Sequence, residues 1–227
     1  MPVASPWSCV LWDVDGTVVD ASDAILHRLT VTLEHYGRTP PTRAELVHWI
    51  GPPMFQSLQD QAGMDPELAA EAVAWYRELG AREGYVRGAR LFPGIGEMIR
   101  DLAAAGVAQA TASSKPETQV RMLMDHFELT PAFTTLVGAT ADERTLSAKA
   151  DIVAEALRRL DVAGVDISRP VLVGDRHHDV DGAAVHDVPV IFVRWGFSWP
   201  HESEGASAVV SGPDELRGLL LPPMADR

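Results

Sequence analysis

Asp13 and Asp15 stand one residue apart, directly after the apolar run Cys9–Trp12 and directly before Gly16 and Thr17. In an extended chain alternate residues face the same side, so both carboxylates leave the end of a buried strand together. Asp175 and Asp179 follow a second apolar run, "VLVG", and the hydroxyls of Ser113 and Ser114 follow a third, "QATA". Of 19 basic residues 17 are arginine, and the only lysines are Lys115, next to the two serines, and Lys149. A compact ammonium is not replaced by the flat guanidinium fork, so these two positions point to point-charge roles.

Two carboxylates ~6 Å apart repel by roughly 3 kcal/mol at an effective dielectric near 20. Four at one place require a cation or displaced pKa values. An oxygen-only donor set with no cysteine suits a hard divalent ion, Mg²⁺ above all. A metal, an ammonium and hydroxyls together match the equatorial oxygens of a phosphoryl group. Each piece also has a plain structural reading. Asp15-Gly16 is a common turn, Asp175 and Asp179 could cap a helix, and Ser113–Ser114 could cap one starting near Lys115.

The elements that must position these groups alternate. Strand-like runs at 106–112, 133–139, 170–175 and 188–193 are separated by helical patterns at 94–106, 115–127 and 149–160. Ile152, Val153, Ala156, Leu157 and Leu160 form one apolar helix face. Alternation of this kind predicts an α/β fold, a doubly wound, mainly parallel Rossmann-like sheet, with Cys9–Trp12 as a further strand. In such sheets ligands collect outside the carboxyl ends of the strands, where all the residues above are delivered. Residues 21–85 read as purely helical, broken by Pro40–Pro41 and Pro52–Pro53. The expected division is a core of 1–20 and 86–227 with an inserted all-helical subdomain, hinged near Val18–Ser22 and Val86–Phe92. The last fifteen residues read as a fraying tail.

A formal charge of −13 over 227 residues argues against a nucleic-acid or anionic-membrane surface. Cys9 is the single cysteine, so no internal disulfide forms, and it reads as a buried filler. No apolar run reaches the length of a membrane span, and no leader pattern is present, so a cytoplasmic location is expected. A nucleotide P-loop, G-x-x-x-x-G-K-S/T, does not occur. His177 and His178 read as solvated loop residues, and Trp195, Phe197 and Trp199 as lining a contact with the helical insertion, a dimer surface or the sheet edge.

Asp13-Val-Asp15-Gly16-Thr17, then Ser113, then Lys149, then Gly174-Asp175-x-x-x-Asp179 resemble the four ordered motifs of the haloacid dehalogenase superfamily. "ATASSKPE" and "VGDRHHDVDGA" are similar to its phosphoglycolate-phosphatase-like branch, which carries a helical cap after the first motif. The resemblance implies a Mg²⁺-dependent phosphatase acting on a small phosphomonoester: phosphoglycolate-like, a sugar phosphate or a nucleoside monophosphate. Asp13 would be the nucleophile, forming an aspartyl-phosphate, and Asp15 the general acid and base. Asp13, the Asp15 carbonyl, Asp175 and Asp179 would hold the metal. Ser113 and Lys149 would hold phosphate oxygens, with Thr17, Ser114 and Lys115 beside them. Superfamily members that break carbon–halogen bonds lack the second carboxylate, so Asp15 favours phosphoryl transfer. Two departures stand out: serine replaces the commoner threonine at 113, and no proline follows Lys149.

Within the insertion, "WIGPPM" (49–54) with Gly51 is the expected substrate-facing turn; His27, Arg28, Tyr76 and Arg77 could also face inward, but read first as exposed helix residues. The same core would also serve a phosphomutase of β-phosphoglucomutase type, or a non-catalytic phospho-acceptor module like a receiver domain. The partner expected is a small-molecule phosphate ester, with the protein a monomer or homodimer.

Overall fold

The computed structural model describes residues 5–141 and 145–221. Strand β1 (Cys9–Trp12) leads through a tight turn into β2 (Val19–Asp20). Four helices follow: α1 (Ser22–His35), α2 (Arg43–Leu46, continued by a 3₁₀ turn to Trp49), α3 (Met54–Asp60) and α4 (Pro66–Glu83). Asp65 caps α4, its carboxylate accepting from the Glu67 and Leu68 amides, with Pro66 at the first helical position. Next come β3 (Arg90–Leu91), α5 (Ile95–Ala104), β4 (Ala108–Thr111), β5 (Ser113–Pro116) and α6 (Glu117–His126). The chain closes with β6 (Gly138–Ala139), α7 (Lys149–Val162), β7 (Pro170–Gly174), α8 (His177–Ala184), β8 (Val190–Val193), β9 (Ala208–Val210) and α9 (Pro213–Leu220).

The main sheet runs β4-β1-β7-β8-β9 with every pairing parallel. β1 is the middle of the site: Cys9 pairs with Ala108 on one side and Pro170 on the other. A central parallel strand is covered on both faces, and all four of its residues are fully buried. Alternation sends Val10 and Trp12 into the core cluster that contains α5 and α9, and Cys9 and Leu11 into the one that contains α7 and α8. The doubly wound arrangement follows directly from that two-sided burial. Burial pushes the Cys9 thiol up to about 11, so it stays an inert filler.

Three expectations are corrected. The segment 133–139 is strand only at Gly138–Ala139, with a single bridge from Thr135 to Ala110, because the Val137 amide donates to the Thr111 hydroxyl at 2.7 Å and not to a neighbouring backbone carbonyl. The expected tail is ordered through Leu220, where α9 buries Leu216 and Leu220 and the Ser5 hydroxyl donates to the Leu220 carbonyl; residues 222–227 lie outside the described ones. His177 and His178 open helix α8 and do not sit in a loop.

β2 and β3 form a two-residue antiparallel pair, Val19 with Leu91 and Asp20 with Arg90, where the chain enters and leaves the helical segment. No described helix is long and apolar enough to cross a membrane.

Candidate active site

β1, β4 and β7 all end at the same edge, and their exits build the site. The Asp13 amide donates to the Val173 carbonyl at 2.9 Å, which extends the sheet one residue and fixes where the Asp13 side chain emerges. Gly16 then turns the chain back at φ +88°, a conformation open to glycine. A methyl group at Gly16 would lie 2.3 Å from the Asp175 carboxylate, and one at Gly196 would lie 2.2 Å from it. Both glycines let backbone close around Asp175, and Gly196 had no signal in the sequence.

Four carboxylates converge, each with different partners. Asp13 Oδ1 accepts from Lys149 Nζ at 2.8 Å, and the same ammonium donates to the Ala112 carbonyl at 2.7 Å. It also lies 2.6 Å from Asp179 Oδ1 as an ion pair. Asp179 Oδ2 accepts from the Asp175 and Arg176 amides at 3.1 and 3.0 Å, so it caps α8 with one oxygen and faces Lys149 with the other. Asp175 accepts from the Thr17 hydroxyl at 3.1 Å and the Phe197 amide at 2.7 Å. Asp15 stands apart from these three, with Oδ2 on Lys115 Nζ at 2.7 Å and Oδ1 buried without a hydrogen bond.

The electrostatics follow from burial. Asp13, Asp15 and Asp175 are 4%, 7% and 0% exposed, and desolvation raises the pKa of each. The charges of Asp13 and Asp179 push Asp175 further up, whereas Lys149 and Lys115 work against the rise at Asp13 and Asp15. Burial lowers both lysines, but the facing carboxylates outweigh it and leave both ammoniums raised. Asp13, Asp175 and Asp179 each offer an oxygen, all within 4.8 Å of one another. Crowded, buried, oxygen-only donors held partly against ionisation fit a hard divalent cation.

The other expected residues divide. Ser114 and Lys115 line, with Asp15, Gly51 and Tyr76, a small chamber of about 50 Å³ under the turn 49–54. Ser114 and Lys149 also border a larger cavity of about 310 Å³. Ser113 is buried beside them, its Oγ accepting from the Lys115 amide at 3.3 Å. α6 starts only at Glu117 and carries no side-chain cap, so neither serine is needed to cap it. Thr17 is fully buried on Asp175 and is placed to orient that carboxylate, away from the chamber.

Two exposures come out differently from the sequence reading. Arg28 and Tyr76 are 2% and 7% exposed, because α1 and α4 pack those faces inward. Their helical faces carry enough apolar residues to be buried, a pattern that does not say which polar neighbours go in with them. His27 stays exposed beside Glu83, and Arg77 reaches the Ala141 carbonyl.

A second set of contacts ties the helical segment to the sheet edge. Arg176, next to Asp175, donates to the Ile50 carbonyl, and its fork is held by Glu202 at 2.7 and 3.1 Å. The Phe197 carbonyl lies 2.9 Å from His48 Nδ1, and Trp199 stacks on that ring with centroids 3.4 Å apart. Phe197 and Trp199 therefore meet the helical segment, whereas the Trp195 indole donates to the Thr17 carbonyl at 3.2 Å. Burial raises Glu202, but the hydrogen bonds and charge of Arg176 outweigh it and set its pKa at about 2. Its depressed value contributes stability above the ordinary pKa near 4.5, lost as pH falls toward 2. Glu202→Gln is expected to cost about 1.5–3 kcal/mol at pH 7, the range for hydrogen bonds to a charged group. The stability gap to wild type should close between pH 4.5 and 2, as read by chemical denaturation across that range.

A family model described as Haloacid dehalogenase-like hydrolase matches residues 10–193. The chain belongs to that family. The match spans every carboxylate of the site, from Asp13 to Asp179. This haloacid dehalogenase-like hydrolase is 37% identical to the tyrosine-protein kinase PtkA of Mycobacterium tuberculosis, over 96% of this chain and 74% of that one. It is 33% identical to a 5'-nucleotidase of Pseudomonas aeruginosa, covering 83% of each. A phosphoglycolate phosphatase of Pseudomonas putida is 28% identical, over 93% and 78%. Among solved structures, a predicted phosphatase of Clostridium acetobutylicum superposes with a TM-score of 0.85 at 28% identity, covering 93% and 96%.

Proposed function

We propose that this hydrolase is a Mg²⁺-dependent phosphomonoesterase working through an aspartyl-phosphate. The observation that carries the reading is Asp15: a second buried carboxylate, held by its own lysine, at the chamber two residues beyond Asp13. A carbon–halogen bond has no use for such a proton carrier, whereas an ester oxygen leaving as an alcohol needs one.

An Asp13 oxygen attacks phosphorus and the bond to the ester oxygen breaks in line with it. Burial holds the Asp15 carboxyl above its ordinary range, so it can keep a proton and deliver it to the leaving oxygen. Asp15 then takes a proton from water as that water attacks phosphorus and releases Asp13. Lys149, Ser113 and the Ser114 amide hold the phosphoryl oxygens, and Thr17 keeps Asp175 oriented. Asp13, Asp175, Asp179 and the Asp15 carbonyl are the residues to hold the cation, which when bound would draw the carboxylates into ionised form and offset phosphoryl charge. Residues 21–85 act as a cap that excludes water over Gly51.

The test is a panel of phosphorylated metabolites with phosphate release as the readout. Hydrolysis with Mg²⁺, its loss in excess EDTA, and recovery on adding Mg²⁺ back are expected. Full turnover in EDTA would rule out the metal. The 37% identity to a protein named as a kinase favours one second reading, transfer to an acceptor hydroxyl in place of water. Labelled ATP with a tyrosine-containing polymer separates the two: labelled polymer supports the second, free phosphate from the ester panel the first.

A further inference from the structure

Gln119 is a buried amide with nothing to bind. It sits in the first turn of α6, 8% exposed, on the face that also buries Val120, Leu123 and Met124. Among the described residues none donates to its carboxamide or accepts from it. Buried side-chain donors and acceptors are nearly always paired, and an unpaired one costs stability. A leucine at 119 would continue the apolar face of α6 without that cost.

The side chain borders the chamber under the turn 49–54, together with Asp15, Lys115 and Tyr76. Tyr76 is buried as well, and its hydroxyl also lacks a hydrogen-bond partner among the described residues. Its ring is held by the Arg28 guanidinium, whose Cζ lies 5.4 Å from the Tyr76 centroid and 5.7 Å from that of Tyr85. Asp15 and Lys115 are the only charged residues of the chamber wall, and they are paired with each other at 2.7 Å. What the wall has left to offer a ligand is therefore neutral: a carboxamide and a phenol, each able to donate and to accept.

We propose that Gln119 is a specificity residue that hydrogen-bonds an uncharged hydroxyl on the leaving group of the substrate. The inference rests on the phosphomonoesterase reading. Because Asp15 protonates the leaving oxygen, the leaving group belongs on the Asp15 side, in this chamber. About 50 Å³ takes only a short chain, and a hydroxyl on that chain gives the amide the partner the protein withholds. A carboxylate in the same place would find no cation free to meet it. Gln119 lies on α6, outside residues 21–85, so the choice of substrate is made in part by a helix of the sheet-bearing core.

The experiment compares wild type and Gln119→Leu on 2-hydroxyethyl phosphate, on propyl phosphate and on 2-phosphoglycolate. The first two differ only in a terminal hydroxyl against a methyl group; the third ends in a carboxylate. Wild type should prefer 2-hydroxyethyl phosphate to propyl phosphate by at least about tenfold in kcat/KM, and 2-phosphoglycolate should be a poorer substrate than 2-hydroxyethyl phosphate. Gln119→Leu should lose about 10- to 30-fold on 2-hydroxyethyl phosphate and change less than about threefold on propyl phosphate, where the interaction is absent. Ligand-free Gln119→Leu should melt no lower than wild type, since it removes an unpaired buried amide. Equal losses on the two alkyl esters, or a lower melting temperature, would assign Gln119 to the fold and overturn the proposal. A wild type that treats the two alike would leave the amide to a bound water, and one that prefers 2-phosphoglycolate would put a charge where the proposal has none; either overturns it. If none of the esters is hydrolysed, the phosphatase reading fails by itself, and thermal stabilisation still decides. A larger shift with 2-hydroxyethyl phosphate than with propyl phosphate in wild type, levelled in Gln119→Leu, supports the pairing; any other result refutes it.

Discussion

Asp13→Asn is expected to lower kcat by about 10⁴-fold or more, the scale on which removal of a covalent nucleophile operates. The amide keeps the size of the side chain and its place beyond β1, but it offers no anionic oxygen to phosphorus. The fold should survive the change. Burial already raises Asp13 against ionisation, so a neutral group there relieves desolvation, and Lys149 retains Asp179 and the Ala112 carbonyl. Single-turnover phosphate release and far-UV circular dichroism check both halves. A variant with substantial turnover would move the nucleophile elsewhere in the site.

Lys149→Met should be costly twice over. It removes the one ammonium that touches both Asp13 and Asp179, leaving like charges facing one another at the end of β1. Uncompensated buried charge costs about 3–5 kcal/mol, and loss of a cation that steadies phosphoryl oxygens should cost at least about 10²-fold in kcat. The pH dependence has a definite sign. Without Lys149 the Asp13 carboxyl sits further above its unfolded pKa value, so the folded variant binds more protons than its unfolded chain. Its stability then rises as pH falls from 7 toward the ordinary aspartate range near 4. The melting-temperature gap to wild type should narrow over that interval. A gap that stays constant would mean the lysine stem acts through packing alone.

The parts of the site that were legible in the sequence are those placed by strand exits. Asp13, Asp15 and Asp175 each follow an apolar run directly, and a parallel sheet sends such residues to one edge whatever the rest of the chain does. Lys149 was legible through rarity, since an arginine-rich chain retains an ammonium at few places. Asp179 showed both of its readings, helix cap and charged partner, because its two oxygens do different work. What could not be read depends on contacts between elements distant in sequence. Glu202 acquires its meaning only from Arg176, Gly196 from Asp175, and Arg28 from two tyrosines on and after α4. Helical periodicity finds the apolar face of α1 and is silent on the arginine that shares it. The C-terminal helix was missed for a simpler reason: eight residues with a single apolar face, flanked by glycine and proline, look the same as a loose end until β9 gives them a surface to cover.

β1 lies between β4 and β7, and this order matters while the chain is being made. Cys9–Trp12 leaves the ribosome before the other strands of this sheet, and the strand that seals its second edge begins at Pro170. At roughly 5–20 residues per second, some 8–30 s pass between the two. Through that interval the helices from Ser22 to Glu83 can form locally, but an apolar strand with one open edge waits among them. Nascent chains stalled before residue 170 should therefore recruit a holdase at this strand, and those extended past β7 should shed it.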